Sequence, residues 1–150
     1  MNILGFKTLS ATAILNNKWF LFDADNKKLG RFCSIIAKII IGKNNFFFTQ
    51  NINCGNKIII LNASKIILTG KKWKTKLYIS HSGYPGGQKK STAIELFKIN
   101  PCKLIYKSIL GMLPKTLLGR KIIKNLYIYP YDTHNLYKQK PKNLNINDIY

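Results

Sequence analysis

Two apolar runs constrain the fold of this chain more than any other feature. Trp19-Phe20-Leu21-Phe22 and Ile58-Ile59-Ile60-Leu61, the second opened by Lys57, are unbroken rather than alternating. A strand with one wet face alternates apolar and polar residues. An unbroken run needs cover on both faces, as strands of a parallel sheet between helices have. Lys18–Ala24 and Lys57–Leu61 are therefore read as two buried strands. Between them, Phe32, Ile35, Ile36, Ile39 and Ile40 recur at helical spacing, and Gly42 ends that helix.

The rest of the chain continues the alternation. Asp25-Asn26-Lys27-Lys28 and Asn62–Lys65 are turns, Phe46–Asn56 is irregular, and Ile66–Leu68 is a short apolar segment. Leu77–Ser80 is a third strand, followed by a glycine-rich basic loop from His81 to Lys90. Thr92-Ala93-Ile94-Glu95 matches a capping box and opens a helix. This gives Glu95 a structural task. Asn100-Pro101 stops that helix and starts another, which carries Ile105, Ile109 and Met112 on one face. Gly111 is read as its left-handed C-cap, Pro114 as the stop, and a further helix begins near Leu118. Leu126–Tyr129 is a last strand, and from Pro130 the chain is polar and extended. Strands alternating with helices predict an α/β layered domain over 18–135, with an N-terminal arm over 1–17 and a polar tail over 136–150.

Charge narrows the function. The 150 residues hold 25 Lys and Arg against 5 Asp and Glu, a formal net charge of +20. The acids are Asp23, Asp25, Glu95, Asp132 and Asp148, so long stretches of positive charge have no internal counterion. A polyanion is the simplest compensation, and nucleic acid the commonest one. No apolar run reaches the ~20 residues that span a bilayer. Lysine, asparagine and isoleucine, which have AT-rich codons, dominate, which accounts for part of the lysine excess and points to the AT-biased genome of an organelle or a reduced bacterium. Arg31 and Arg120 are the two arginines, and both lie in Leu-Gly-Arg. Arginine offers a planar fork that lysine cannot copy, so both are candidate phosphate clamps.

Catalysis finds little footing. The glycine-rich loop holds no Walker or dinucleotide pattern, and no acid lies near it to hold magnesium or a ribose. His81 and Ser82 are adjacent, which rarely orients a nucleophile and its base. The Cys residues, Cys33, Cys54 and Cys102, show no metal-ligand spacing and suit a reducing compartment. Ala11-Thr12-Ala13 mimics a cleavage site, but no basic region precedes it, so no secretory signal is expected. As an RNA surface the same loop makes better sense. Glycines admit phosphate to the backbone, lysines supply charge, and Trp73, His81 and Tyr84 can stack on unpaired bases. The alternative for Trp73 is a place in the core. Lys115 and Arg120, across the proline-stiffened loop, could grip one phosphate, with the start of the following helix as a third donor.

Several stretches together resemble one family. Lys18–Ala24 with Lys28-Leu29-Gly30-Arg31, Leu61-Asn62-Ala63 with Thr69-Gly70 and Lys72, and His81-Ser82-Gly83 with Gly86-Gly87 are similar to the universal large-subunit ribosomal protein thirteen family. Gly111-Met112-Leu113-Pro114-Lys115 with Leu118-Gly119-Arg120 matches its most specific signature, and His134-Asn135, Gln139 and Pro141 resemble its bacterial-type tail. The likeness covers residues 18–144. It departs in carrying Lys where bacterial relatives often have Arg, and in its last residues, Asn-Ile-Asn-Asp-Ile-Tyr. The resemblance implies a three-layer α/β/α fold with a four-stranded, mainly parallel sheet. It also implies binding to large-subunit ribosomal RNA, neighbouring ribosomal proteins, early subunit assembly, and neither catalysis nor cofactor nor homo-oligomer. The implied location is a ribosome of bacterial type, in a bacterium, plastid or mitochondrion. The expected RNA-facing residues are Lys28, Arg31 and Lys43 around the first helix, and Lys71, Lys72, Trp73 and Lys74 in the basic stretch. His81, Gly83, Tyr84, Gly86, Gly87, Lys89 and Lys90 follow in the glycine-rich loop, then Lys115 and Arg120. The alternatives are a basic nucleic-acid-binding protein outside the ribosome and a nucleotide-dependent enzyme.

Overall fold

The computed structural model describes residues 18–45 and 48–144. The predicted arm, the Ala11-Thr12-Ala13 pattern, Phe46-Phe47 and the end of the tail lie outside them. The two unbroken apolar runs form the centre of the molecule. β1 (Trp19–Asp23) and β2 (Lys57–Leu61) pair in parallel, from Trp19 opposite Lys57 to Asp23 opposite Leu61. Phe22, Ile58, Ile59 and Ile60 are fully buried, as an inner pair of strands covered on both faces requires.

The crossover between these strands is α1 (Leu29–Ile41). Eight of its thirteen residues are buried, a stripe too wide for one contact. It packs on the sheet side and against α4 (Pro101–Met112). Gly42 ends α1 as expected, with φ 88°; its N–H donates to the Ile39 carbonyl and that of Lys43 to the Lys38 carbonyl. β5 (Leu126–Ile128) pairs in parallel with β2, and β6 (Lys142–Asn143) in parallel with β1. The sheet order is β5-β2-β1-β6, with helices on both sides. The three-layer α/β/α fold with a four-stranded parallel sheet is therefore the observed one.

The membership of the sheet differs from the sequence reading. Leu77–Ser80 is not one of its strands. β3 (Leu77–His81) pairs antiparallel with β4 (Gln88–Thr92) in a separate two-stranded ribbon. The physical reason is visible in the residues: Ser80, His81 and the polar partner Gln-Lys-Lys-Ser-Thr cannot be buried on both faces. A short connection can also join only antiparallel neighbours. The glycine-rich loop shrinks to 82–87, and Lys89 and Lys90 stand on β4. The fourth sheet strand comes instead from the polar C-terminal segment, where the Leu144 N–H donates to the Leu21 carbonyl.

Local signals explain the helix ends. In α3 (Ala93–Ile99) the capping box forms: the Glu95 N–H donates to Thr92 Oγ1, and the Thr92 N–H to Glu95 Oε2. Such caps contribute about 1 kcal/mol. Asn100 caps α4 through Lys103, with Pro101 at its first position. Gly111 is not the left-handed C-cap of α4. The helix runs through it to Met112, and Leu113 caps it with ψ 153°. The residue before a proline is pushed into the extended region, so Pro114 sets the end at Leu113. Leu113 is also the buried residue there, whereas Met112 is exposed and does not continue the Ile105–Ile109 face.

Candidate nucleic-acid interface

The expected residues converge on two clefts and a ribbon. The first cleft, about 620 Å³, opens where α1 begins and is lined by Lys28, Leu29, Gly30 and Arg31. Its far wall is Ile67, Leu68 and Thr69, and Lys72 and Lys76 close it. The chain builds this corner by backbone pairing: the Leu29 N–H donates to the Ile67 carbonyl and that of Ile67 to the Lys27 carbonyl. Lys72 stands on α2 (Lys72–Thr75), a single turn within the basic stretch that the lysine-rich sequence does not signal.

The second cleft, about 550 Å³, lies between the ribbon and the junction of α4 with α5 (Leu117–Ile122). Tyr78, Ile79 and Ser80 of β3 form one wall. Lys107, Leu110, Gly111, Pro114, Lys115, Gly119 and Arg120 form the other. Lys115 and Arg120 therefore share a cleft, as the phosphate-clamp expectation requires. One element of that expectation fails. Arg120 does not offer a free amide at a helix start, because its N–H donates to the Thr116 carbonyl. Thr116 is the N-cap and its Oγ1 accepts the Gly119 N–H, so α5 begins earlier than Leu118. Threonine two residues before Leu118 was the missed cue.

Tyr78 joins the two clefts. Lys76 Nζ, from the first, lies 5.3 Å from its ring centroid, and Lys107 Nζ, from the second, 5.8 Å. Neither lysine was among the expected contacts. Lys107 was legible in principle, since it precedes Leu110 and Gly111 by three and four residues on one helix face.

The ribbon carries His81, Gly83, Tyr84, Gly86, Gly87, Lys89 and Lys90. Its turn is held by the Gly87 N–H to the Tyr84 carbonyl, the Ser82 N–H to the Gly87 carbonyl, and the Gly83 N–H to His81 Nδ1 at 2.9 Å. Gly83 and Gly86 have φ of 94° and 72°, which favour glycine. Tyr84 is 75% exposed at the tip, free to stack. Trp73 is placed differently: it is half-buried, edge-on to Phe97 with centroids 5.0 Å apart. Lys71 and Lys74 are exposed beside it. Lys43 stands apart from both cationic clefts, at an apolar hollow with Phe48, Ile52 and Leu118.

Among the described residues, no group of three His, Cys, Asp or Glu side chains is placed to hold a metal ion. No helix among them is long and apolar enough to cross a membrane. Burial pushes the Cys33 thiol up to about 12, against a smaller opposing effect of Lys76, so it is no nucleophile. The molecule is thus a basic α/β domain with two cation-lined clefts that meet at Tyr78. The comparisons are more particular. Residues 17–135 match the family model described as Ribosomal protein L13. "Large ribosomal subunit protein uL13" of Buchnera aphidicola subsp. Cinara cedri is 49% identical over 142 residues, 93% of this chain and 99% of that protein. The proteins of the same name from Thermosipho africanus and Mycoplasmopsis synoviae are 46% and 47% identical, over 92% and 87% of this chain and 93% and 91% of their own. The chain belongs to the ribosomal protein L13 family, whose members are structural proteins and not enzymes.

Proposed function

We propose that this protein is a structural constituent of the large ribosomal subunit. In this reading it binds large-subunit ribosomal RNA through the two clefts and the ribbon, and supports early subunit assembly and so translation. The observation that carries the RNA part is the placement of cations. Both arginines of a +20 chain line clefts, with Lys28, Lys72 and Lys76 beside one and Lys107 and Lys115 beside the other. The body over 18–135 carries this surface, one copy serves each ribosome, and neighbouring ribosomal proteins are its protein contacts. The relatives above are bacterial, which favours a ribosome of bacterial type; the AT-rich composition fits a reduced bacterium, a plastid or a mitochondrion.

The test is binding of the purified chain to protein-free large-subunit RNA from a bacterial ribosome. If about 6 to 10 phosphates are neutralised, affinity falls roughly 10³- to 10⁵-fold between 50 and 200 mM salt. Folded RNA should outcompete duplex DNA. A flat salt response, or equal competition by DNA, would refute the ribosomal RNA reading and favour a general basic nucleic-acid binder.

A further inference from the structure

Glycine is the costliest residue inside a helix after proline. A fold keeps one there for a positive φ or for a neighbour that leaves no room for a Cβ. Gly119 meets the second condition, since a Cβ would run into the Pro114 carbonyl oxygen. Gly30, second in α1, and Gly111, second from last in α4, meet neither. Both have ordinary negative φ, and a Cβ built on either finds nothing within 4 Å. Among the described residues they are the two glycines without an internal reason. They are also exposed, and each lines one of the two cationic clefts.

We infer that Gly30 and Gly111 are close-approach points for the sugar–phosphate backbone of RNA. The inference rests on the RNA reading above and deepens it. A bare helix surface lets a phosphodiester ride down between flanking cations, Arg31 and Lys72 in the first cleft and Lys107 and Arg120 in the second. A side chain at either glycine holds the strand off that surface. Charge-assisted bonds need donor–acceptor distances of about 2.7–2.9 Å, so a small outward displacement weakens several at once. An anionic polymer is the fitting occupant because both clefts are lined by cations and by no acid.

The experiment compares Gly30→Ala, Gly30→Gln, Gly111→Ala and Gly111→Gln in the full chain. Thermal unfolding and binding to protein-free bacterial large-subunit RNA are measured side by side. Replacing an unconstrained helix glycine raises the melting temperature, by about 2–4 °C for alanine at Gly111. RNA affinity falls on the order of tenfold with alanine and further with glutamine. Raised melting temperature with wild-type RNA affinity overturns the inference while leaving the RNA reading intact. A lowered melting temperature overturns it too, since the glycines then serve the fold. Wild-type RNA affinity with lost binding of ribosomal proteins reassigns the clefts to a protein partner. If the unmodified chain itself fails to bind RNA, the reading falls and this inference with it.

Discussion

Gly119→Ala should behave in the opposite way, and its size can be worked from the structure. The added methyl points at the carbonyl oxygen of Pro114, with the carbonyl carbon and ring close behind. That segment has little freedom to retreat. Pro114 has its φ fixed by its ring. Leu113 before it is buried, and Thr116 after it is held as the N-cap by the Gly119 and Arg120 amides. Overpacking of this kind costs about 1–3 kcal/mol. Removing a helix glycine returns about 0.5–1 kcal/mol. The balance spans roughly 0–2.5 kcal/mol and centres near 1 kcal/mol of destabilisation, which for a chain of this size lowers the melting temperature by roughly 2–4 °C. Circular dichroism melts and urea midpoints on the full chain would read it. An unchanged or raised melting temperature would show that the Pro114–Gly119 contact does not constrain the loop, and would remove the steric distinction between Gly119 and the two open glycines.

Two further outcomes follow from the same geometry. Arg120→Ala leaves an exposed side chain missing from the second cleft, so the melting temperature should hold while RNA affinity falls about 10- to 100-fold, the worth of one charge-assisted bond; Arg120→Lys should fall between, and a large thermal loss would make Arg120 a fold residue. Native Cys33 should resist iodoacetamide at pH 8 and react once the chain is unfolded. With its folded value raised from 9.0 to about 12 by burial, its stabilising effect is complete below pH 9 and lost as pH climbs toward 12. Rapid labelling of Cys33 in the native protein, followed by mass spectrometry, would contradict this.

The parts of the fold that were legible are those where local and global requirements coincide. Unbroken Phe, Leu and Ile runs can be only inner strands, so β1 and β2 were fixed by their own composition. The capping box at Thr92 and the Asn100-Pro101 junction carry their own hydrogen-bonding logic. What could not be read depends on partners distant in sequence. Lys142–Asn143 has no strand character of its own and becomes one only because the outer edge of β1 is open to it. β4 is five polar residues that turn into a strand because β3 lies opposite. Its exposure on the outer side tolerates lysine, whereas a sheet interior would not.

The candidate site was legible as a composition and only partly as a geometry. Charge and the two Leu-Gly-Arg tripeptides pointed to Arg31 and Arg120, and each does line a cationic cleft. Identical tripeptides, however, hide different physics. In Leu118-Gly119-Arg120 the glycine is required by the Pro114 carbonyl, so it shapes the loop that presents Lys115. In Leu29-Gly30-Arg31 a Cβ on the glycine would meet nothing within 4 Å, and the fold offers no reason for it. No inspection of the letters separates these cases, because the distinction lies in whether a carbonyl five residues away folds back over the helix. The same holds for Trp73, whose ring could have faced solvent until Phe97 on α3 was brought beside it. Lys76 and Lys107, thirty-one residues apart, come together only because the Tyr78 ring stands between them. An interface of this kind is written in the chain as an excess of cations, and the fold selects which of them act together.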